Sequence, residues 1–178
     1  MKENIIGREQ EISKLENYIS SRKSEFIAIY GRRRVGKTFL IKEMFEGRFT
    51  FRVTGKDNVS TKEQLTNFGF ALLEQMNVDT MPKDWEEAFR LLQKAIENMP
   101  EGAKVIFFDE LPWFDTRSSH FISVLEHFWN DWAFYHNDIK LITCGSATTW
   151  MIDMSSTLMA VSRMLHGCRW NCLLSLPL

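Results

Sequence analysis

The feature that most constrains this chain is a short apolar run, residues 26–30, followed at once by a glycine-bounded loop. The pattern G-x-x-x-x-G-K-[ST], typical of phosphate-binding loops, is matched without a mismatch by Gly31, Gly36, Lys37 and Thr38. Such a loop requires a buried strand before it and a helix after it, whose positive dipole end attracts phosphate. The helical pattern of residues 39–45 supplies that helix. The sequence therefore predicts a strand–loop–helix unit that binds a nucleotide.

Within the loop, there is a physical reason why each residue type suits phosphate binding. Backbone N–H groups of Gly31, Arg32, Arg33, Arg34, Val35 and Gly36 are expected to form a nest for phosphate oxygens. Gly36 lets the backbone approach the nucleotide closely, Lys37 reaches the β- and γ-phosphates, and Thr38 is a magnesium ligand. We assign no catalytic role to the three arginine side chains, because a solvated loop explains them equally well.

Composition limits the class of protein. The chain has 178 residues, 44% of them hydrophobic and 25% charged, which is typical of one globular domain with a sizeable core. A net charge of -1 provides no basic field toward nucleic acid. No apolar run is long enough to span a bilayer, and the polar start lacks a signal peptide. Three cysteines without framework spacing favour a reducing cytoplasm.

The periodicity along the rest of the chain alternates between strand and helix. Further strands are predicted at 49–54, 104–110 and 139–144, with a last one in the tail at 173–178. Helices are predicted after Arg8, after the caps Ser60 with Glu63 and Asp84 with Glu87, from about 118 to 132, and from about 148. This alternation predicts a three-layer α/β/α P-loop fold, with a mostly parallel sheet covered on both faces.

Two acids follow the apolar run 104–108. Asp109 is at the strand end where a phosphate-loop protein holds magnesium, often through water. Glu110, the next residue, is placed to orient and polarise an attacking water, so the pair favours hydrolysis over transfer to another acceptor. A small-molecule kinase is the weaker alternative, because Glu110 is present and no acceptor-site motif is visible.

A polar residue near the end of the strand 139–144 is a further candidate. Ser146, or alternatively Thr143, could hydrogen-bond the γ-phosphate or the water. The competing interpretation is a turn or helix N-cap serine, and the sequence leaves the two open.

Two other functions fit poorly. A GTPase would carry Asn-Lys-x-Asp late in the chain, whereas the only similar stretch, residues 54–57, follows the second strand. A zinc site built from His166, Cys168 and Cys172 has no common spacing.

The phosphate loop, the stretch 109–113 and the stretch 144–147 together resemble the prokaryotic AAA-type ATPases close to the STAND signalling NTPases. The resemblance covers most of residues 4–152 and implies ATP as ligand, with magnesium. It implies that Thr38 and Asp109 bind the metal, that Lys37, Glu110 and Ser146 serve catalysis, and that Gly7 and Arg8 lie near the adenine. A non-hydrolysing nucleotide switch remains the alternative function.

The sequence departs from the family pattern in its last part. Where relatives tend to carry an arginine before the fifth strand, this chain has Cys168, with Arg163 and Arg169 nearby. We expect residues 1–178 to be an ATPase core without the helical lid or any C-terminal effector domain. We therefore expect weak turnover, and self-association or a protein partner through an exposed sheet edge and the apolar tail.

Overall fold

The computed structural model describes residues 5–147 and 149–154, and the backbone of 173–175. Its centre is one sheet in which every strand pair is parallel, in the order β2-β3-β4-β1-β5. The strands are β1 (Glu25–Tyr30), β2 (Phe49–Thr54), β3 (Lys104–Asp109), β4 (Ile139–Gly145) and β5 (Leu173–Ser175). The predicted parallel α/β fold is confirmed, including a strand in the tail.

The described helices lie before β1 and after each of the strands β1 to β4. They are α1 (Glu9–Ser20), α2 (Lys37–Phe45), α3 (Thr61–Met76), α4 (Trp85–Glu97) and α5 (Phe121–His127), with a 3₁₀ helix at Leu111–Phe114 and a further helical stretch at 149–154. Within the described ranges, no helix combines the length and the apolar character needed to cross a membrane.

The two N-terminal caps predicted from the sequence, at the starts of α3 and α4, are both present. The Ser60 side chain accepts from the Glu63 backbone N–H while the Glu63 carboxylate accepts from Ser60, which confirms the capping box. Those hydrogen bonds from Ser60 lower the pKa of the Glu63 carboxyl. Asp84 caps α4 by accepting from the Glu87 N–H at 2.8 Å. Such caps satisfy backbone donors that a helix start leaves unpaired.

The helix predicted at 118–132 is wrong in its start and its form. Ser118 and His120 adopt left-handed φ values of 57° and 56°, which a right-handed helix cannot include, so α5 begins at Phe121. From Phe128–Trp132 the backbone widens into a π-helix, and a 3₁₀ turn follows at Ala133–Tyr135. The extra residue in the π turn changes which side chains face inward, and Phe128, Trp129 and Trp132 are all buried.

The two faces of the sheet are packed differently. Neighbouring residues of β3 point to opposite faces, so Phe108 belongs to one cluster and Phe107 to the other. The Phe108 face is covered by α3, α4 and α5 and is rich in aromatic rings, including Phe68, Trp85 and Phe89. The Phe107 face is covered by α1 and α2 and is mainly aliphatic. Met99 lies past the end of α4 and is 40% exposed.

Side chains of α3 occupy part of the sheet edge at β2. Gln75 of α3 accepts from the Arg52 backbone N–H and donates to the Arg52 carbonyl, both at 2.8 Å. Asn67 donates to the Thr54 carbonyl at 2.9 Å. These amides occupy backbone groups of β2 that would otherwise be available to another strand.

Strand order sets where the site forms. The strand β4 lies between β1 and β3, with Tyr30 level with Gly145 and Phe108 level with Thr143. Because all strands are parallel, the loop after β1, the acids after β3 and Ser146 after β4 meet at one edge.

Candidate functional site

The phosphate loop leaves β1 with backbone conformations that few residues adopt. Gly31 has a φ of 148° and Gly36 a φ of 84°. A side chain at Gly36 would meet no atom within 4 Å, so this position requires glycine for its backbone conformation rather than for space. Arg34 also has a positive φ, 66°. Gly36 directly precedes α2, and the loop therefore delivers its backbone to a helix N-terminus.

Lys37 is folded against the loop. Its Nζ donates to the carbonyl of Gly31 at 2.9 Å and to that of Arg32 at 2.8 Å, and the residue is only 5% exposed. An ammonium group has three N–H donors, so one remains beyond these two bonds. The Lys37 ammonium thus lies within the loop that the sequence predicts to bind phosphate.

Thr38 and Asp109 are brought together from α2 and β3. The Thr38 hydroxyl donates to Asp109 Oδ1 at 2.9 Å, and the same oxygen accepts the Glu110 N–H at 3.1 Å. Asp109 is 4% exposed. A hydroxyl and a carboxylate supply oxygen ligands of the kind that magnesium takes beside phosphate and water. The residues present therefore fit a magnesium ion. No group of three or more His, Cys, Asp or Glu suited to a metal occurs within the described ranges.

Glu110 is held in a left-handed conformation, with φ 49° and ψ 51°, immediately before the Leu111–Phe114 turn. Gly55 makes this turn possible, because a side chain there would lie 2.7 Å from the Glu110 carbonyl oxygen and 3.0 Å from Trp113 Cβ. The Gly55 N–H also donates to the Asp109 carbonyl at 2.9 Å. The end of β2 thus fixes the position of the two acids.

Ser146, rather than Thr143, lies beside the acids. Its hydroxyl donates to Glu110 Oε2 at 3.2 Å. Thr143 is fully buried inside the sheet, and its hydroxyl has no hydrogen-bond partner in the part of the chain that is described. Of the two candidates that the sequence offered, Ser146 is therefore the one whose hydroxyl lies beside the acids.

The N-terminal pair also reaches the loop. Gly7 has a φ of 71°, and Arg8 follows it at the start of α1. The Arg8 Nη2 donates to the Val35 carbonyl at 3.1 Å, and its guanidinium lies 3.5 Å from the Glu11 carboxylate. Arg8 therefore fixes the start of α1 against the loop from 27 residues away in sequence.

Two side chains to which the sequence analysis gave no role, those of Arg33 and Trp113, lie beside Ser146. Arg33 Nε donates to Ser146 Oγ at 3.4 Å, and its guanidinium lies 5.8 Å from the centre of the Trp113 ring. The run of three arginines in the loop was the only signal, and it did not distinguish Arg33 from its neighbours. The predicted candidates Arg163, Cys168 and Arg169, together with the zinc candidates His166 and Cys172, lie outside the described residues.

Cys144 is buried under the acids at the end of β4. Burial raises the pKa of its thiol above the ordinary value, and the negative charge of Asp109 raises it further. A thiol in such surroundings stays protonated and unreactive at neutral pH. Cys144 is thus part of the packing beneath the site.

A family model matches residues 5–173, and that family is described as an ATPase domain predominantly from Archaea. An uncharacterised protein of Methanocaldococcus jannaschii is 29% identical over 150 residues, which are 83% of this chain and 30% of the relative. An uncharacterised ATP-binding protein of the same organism is 44% identical over 44 residues, covering 25% of this chain and 75% of the relative. The chain thus spans under a third of the length of the first relative.

Solved structures share the fold. A Walker-type ATPase of Pyrococcus abyssi matches with a TM-score of 0.57 and 19% identity, over 90% of this chain and 50% of that one. Cdc6p of Pyrobaculum aerophilum matches with a TM-score of 0.64 and 13% identity, over 89% and 44%. At such identities the likeness concerns the fold alone.

Proposed function

Because the chain belongs to the family of ATPase domains found predominantly in Archaea, we propose that it binds ATP in the Gly31–Thr38 loop and hydrolyses it with magnesium. The observation that carries this proposal is the convergence of the loop, Asp109, Glu110 and Ser146 at one sheet edge. The loop follows β1, the two acids lie at the end of β3 and Ser146 follows β4. These three strands are neighbours in the sheet, in the order β3-β4-β1, so their carboxyl ends lie side by side.

Binding would be the task of the loop. Its N–H groups and the N-terminus of α2 attract the phosphates, and Lys37 adds a buried positive charge. Gly7 and Arg8 would lie near the adenine, since Arg8 already contacts the loop backbone. When bound, magnesium neutralises charge on the β- and γ-phosphate oxygens, and Thr38 and Asp109 are the residues that would hold it.

Hydrolysis would be the task of Glu110. The carboxylate orients a water molecule, whose oxygen attacks the γ-phosphorus while the bond to the β-phosphate oxygen breaks. A proton leaves the water as the products ADP and phosphate form, and Glu110 is placed to receive it. Ser146 orients the carboxylate through their hydrogen bond.

The finer classification is part of the proposal. The strand order, the Asp109–Glu110 pair and the contact of Arg8 with the loop support an AAA-type domain close to the STAND NTPases.

The cytoplasmic location and a protein partner are likewise proposed from the sequence. Exposed apolar side chains, among them Ile6 at 91% and Phe70 at 50%, support association with another surface.

Phosphate release from ATP by the purified chain tests the proposal. We expect turnover that requires magnesium and stops on its removal, and a weaker response to magnesium in Asp109→Asn. Tight binding of ATP with no phosphate release would favour the non-hydrolysing switch instead. Absence of nucleotide binding would overturn both.

A further inference from the structure

Arg33 occupies a distinctive position among the arginines of the loop. Its side chain returns across the site and meets residues from two other elements, Ser146 after β4 and Trp113 in the 3₁₀ helix after β3. Ser146 in turn contacts Glu110, so the Arg33 side chain is connected to one of the two acids through a single hydroxyl group.

The contacts of Arg33 leave its charge available. The bond to Ser146 uses Nε, so neither terminal Nη group takes part in a hydrogen bond among the residues that are described. The Trp113 ring supports the guanidinium by a cation–π contact, which restricts its orientation without using its donors. A guanidinium in this state can still bind two oxygens of one phosphate.

Ser146 joins this cation to the proposed catalytic carboxylate. Its hydroxyl donates to Glu110 and accepts from Arg33, so the three side chains form one connected chain. In the function proposed above, Lys37 binds the γ-phosphate and Glu110 orients the attacking water, so the reacting atoms would lie near these side chains. Arg33 is thus beside the place where the reaction would occur.

We propose that Arg33 is a catalytic residue that contacts the γ-phosphate in cis. The proposal rests on the function proposed above. On binding of ATP, the guanidinium turns on the Trp113 ring from Ser146 to the γ-phosphate oxygens. The water oxygen bonds to phosphorus, the bond to the β-phosphate oxygen breaks, and the electron pair leaves with ADP. Arg33 stabilises the negative charge on the phosphoryl oxygens during this transfer. The chain would then carry its own arginine for this step.

Kinetics of Arg33 variants test this role. Arg33→Ala is expected to lower kcat about a hundredfold or more, with a much smaller change in KM. Arg33→Lys keeps a positive charge but loses the fork of donors, so it should restore only part of the rate. Binding of ADP with aluminium fluoride, which mimics the transferring phosphoryl group, should weaken in Arg33→Ala while binding of ADP alone is kept.

Arg52→Ala is the matched control. Arg52 is an exposed arginine whose guanidinium lies 5.7 Å from the centre of the Phe49 ring, close to the 5.8 Å between Arg33 and the Trp113 ring. It lies on the edge strand β2. The kcat of Arg52→Ala and its affinity for ADP with aluminium fluoride should equal those of the wild type. ADP binding and the thermal midpoint report whether each variant folds.

The outcomes separate this proposal from the one on which it rests. If both Arg33 variants hydrolyse ATP at the wild-type rate, the role of Arg33 is overturned and the ATPase proposal stands. A wild type that binds ADP but neither hydrolyses ATP nor binds aluminium fluoride would overturn both.

Discussion

Two polar clusters of this domain are built from similar contacts and differ in charge. The edge amide cluster consists of Gln64, Asn67 and Gln75, all on α3. The phosphate-loop cluster consists of Lys37, Thr38, Asp109, Glu110 and Ser146. Both link side chains to groups that are distant in sequence. The first contains only neutral amides, whereas the second holds one cation and two acids.

The edge amide cluster uses its hydrogen-bonding capacity internally. Gln64 is fully buried and donates to the carbonyls of Lys56 at 2.7 Å and Trp113 at 2.8 Å, while it accepts the Lys56 N–H at 3.2 Å. Gln75 makes a reciprocal pair with the Arg52 backbone. Satisfied amides of this kind stabilise the folded chain and leave little for a ligand.

The phosphate-loop cluster keeps capacity for a ligand. Lys37 and Asp109 are almost completely buried, and Lys37 retains one N–H beyond its two bonds to the loop. Buried charges cost free energy, which a bound nucleotide and metal would offset. From this difference we expect the edge amide cluster to serve stability and the phosphate-loop cluster to serve binding, so variants of the two clusters should fail in different assays.

The largest effect is expected for Glu110→Gln. Glutamine keeps the shape and can still pair with Ser146, but it lacks the charge that polarises water, so turnover should fall about 10²- to 10⁴-fold. ATP binding should be kept. Phosphate release and calorimetry measure the two effects, with Glu101→Gln in an exposed turn as control. Turnover at the wild-type rate would mean that Glu110 is not the catalytic base.

Lys37→Ala is expected to weaken ATP binding by roughly one to two orders of magnitude, because a buried charge–phosphate contact is worth more than a neutral hydrogen bond. The fold should persist, since the variant also removes a buried charge. Calorimetric titration with ATP measures the loss. Lys42→Ala, an exposed lysine of the same helix, provides the comparison, and equal affinities in both variants would contradict the assignment.

Gln64→Leu is expected to reduce the free energy of unfolding by about 1–3 kcal/mol, because it leaves backbone groups of Lys56 and Trp113 without their partner. Nucleotide affinity should change little. Chemical denaturation measures the loss, and Thr66→Ala on the exposed side of α3 should stay within about 0.5 kcal/mol of the wild type. A large loss of binding at unchanged stability would erase the distinction between the clusters.

The smallest effect is expected for Gln75→Leu, about 1 kcal/mol or less, because water can replace the amide at this exposed position. The variant also frees the Arg52 backbone groups on the β2 edge. We therefore expect more self-association at high concentration, measured by sedimentation, than in Glu74→Ala beside it. A variant that remains as dispersed as the wild type would show that the amides do not protect the edge.

Features that depend on neighbouring residues could be predicted from the sequence alone. The phosphate-loop motif, the apolar run before Asp109 and the caps at Ser60 and Asp84 are local patterns, and the structure has the predicted strands and helices at these places. Local patterns are reliable here because a cap or a buried strand is decided within a few residues. The meeting of the phosphate loop, the two acids and Ser146 could be predicted for a different reason, because the carboxyl ends of parallel strands lie at one edge of the sheet.

Other features were decided only by tertiary structure. The insertion of β4 between β1 and β3, which brings Ser146 to Glu110, depends on strand order rather than on any single segment. The choice of Arg33 among three identical neighbours depends on where Trp113 and Ser146 lie. The π turn at Phe128–Trp132 brings Phe128 against Phe89 and Trp129 against Phe26, rings that lie far away in the sequence. In each case the partner is remote in sequence, so no local pattern contains the information that selects the contact.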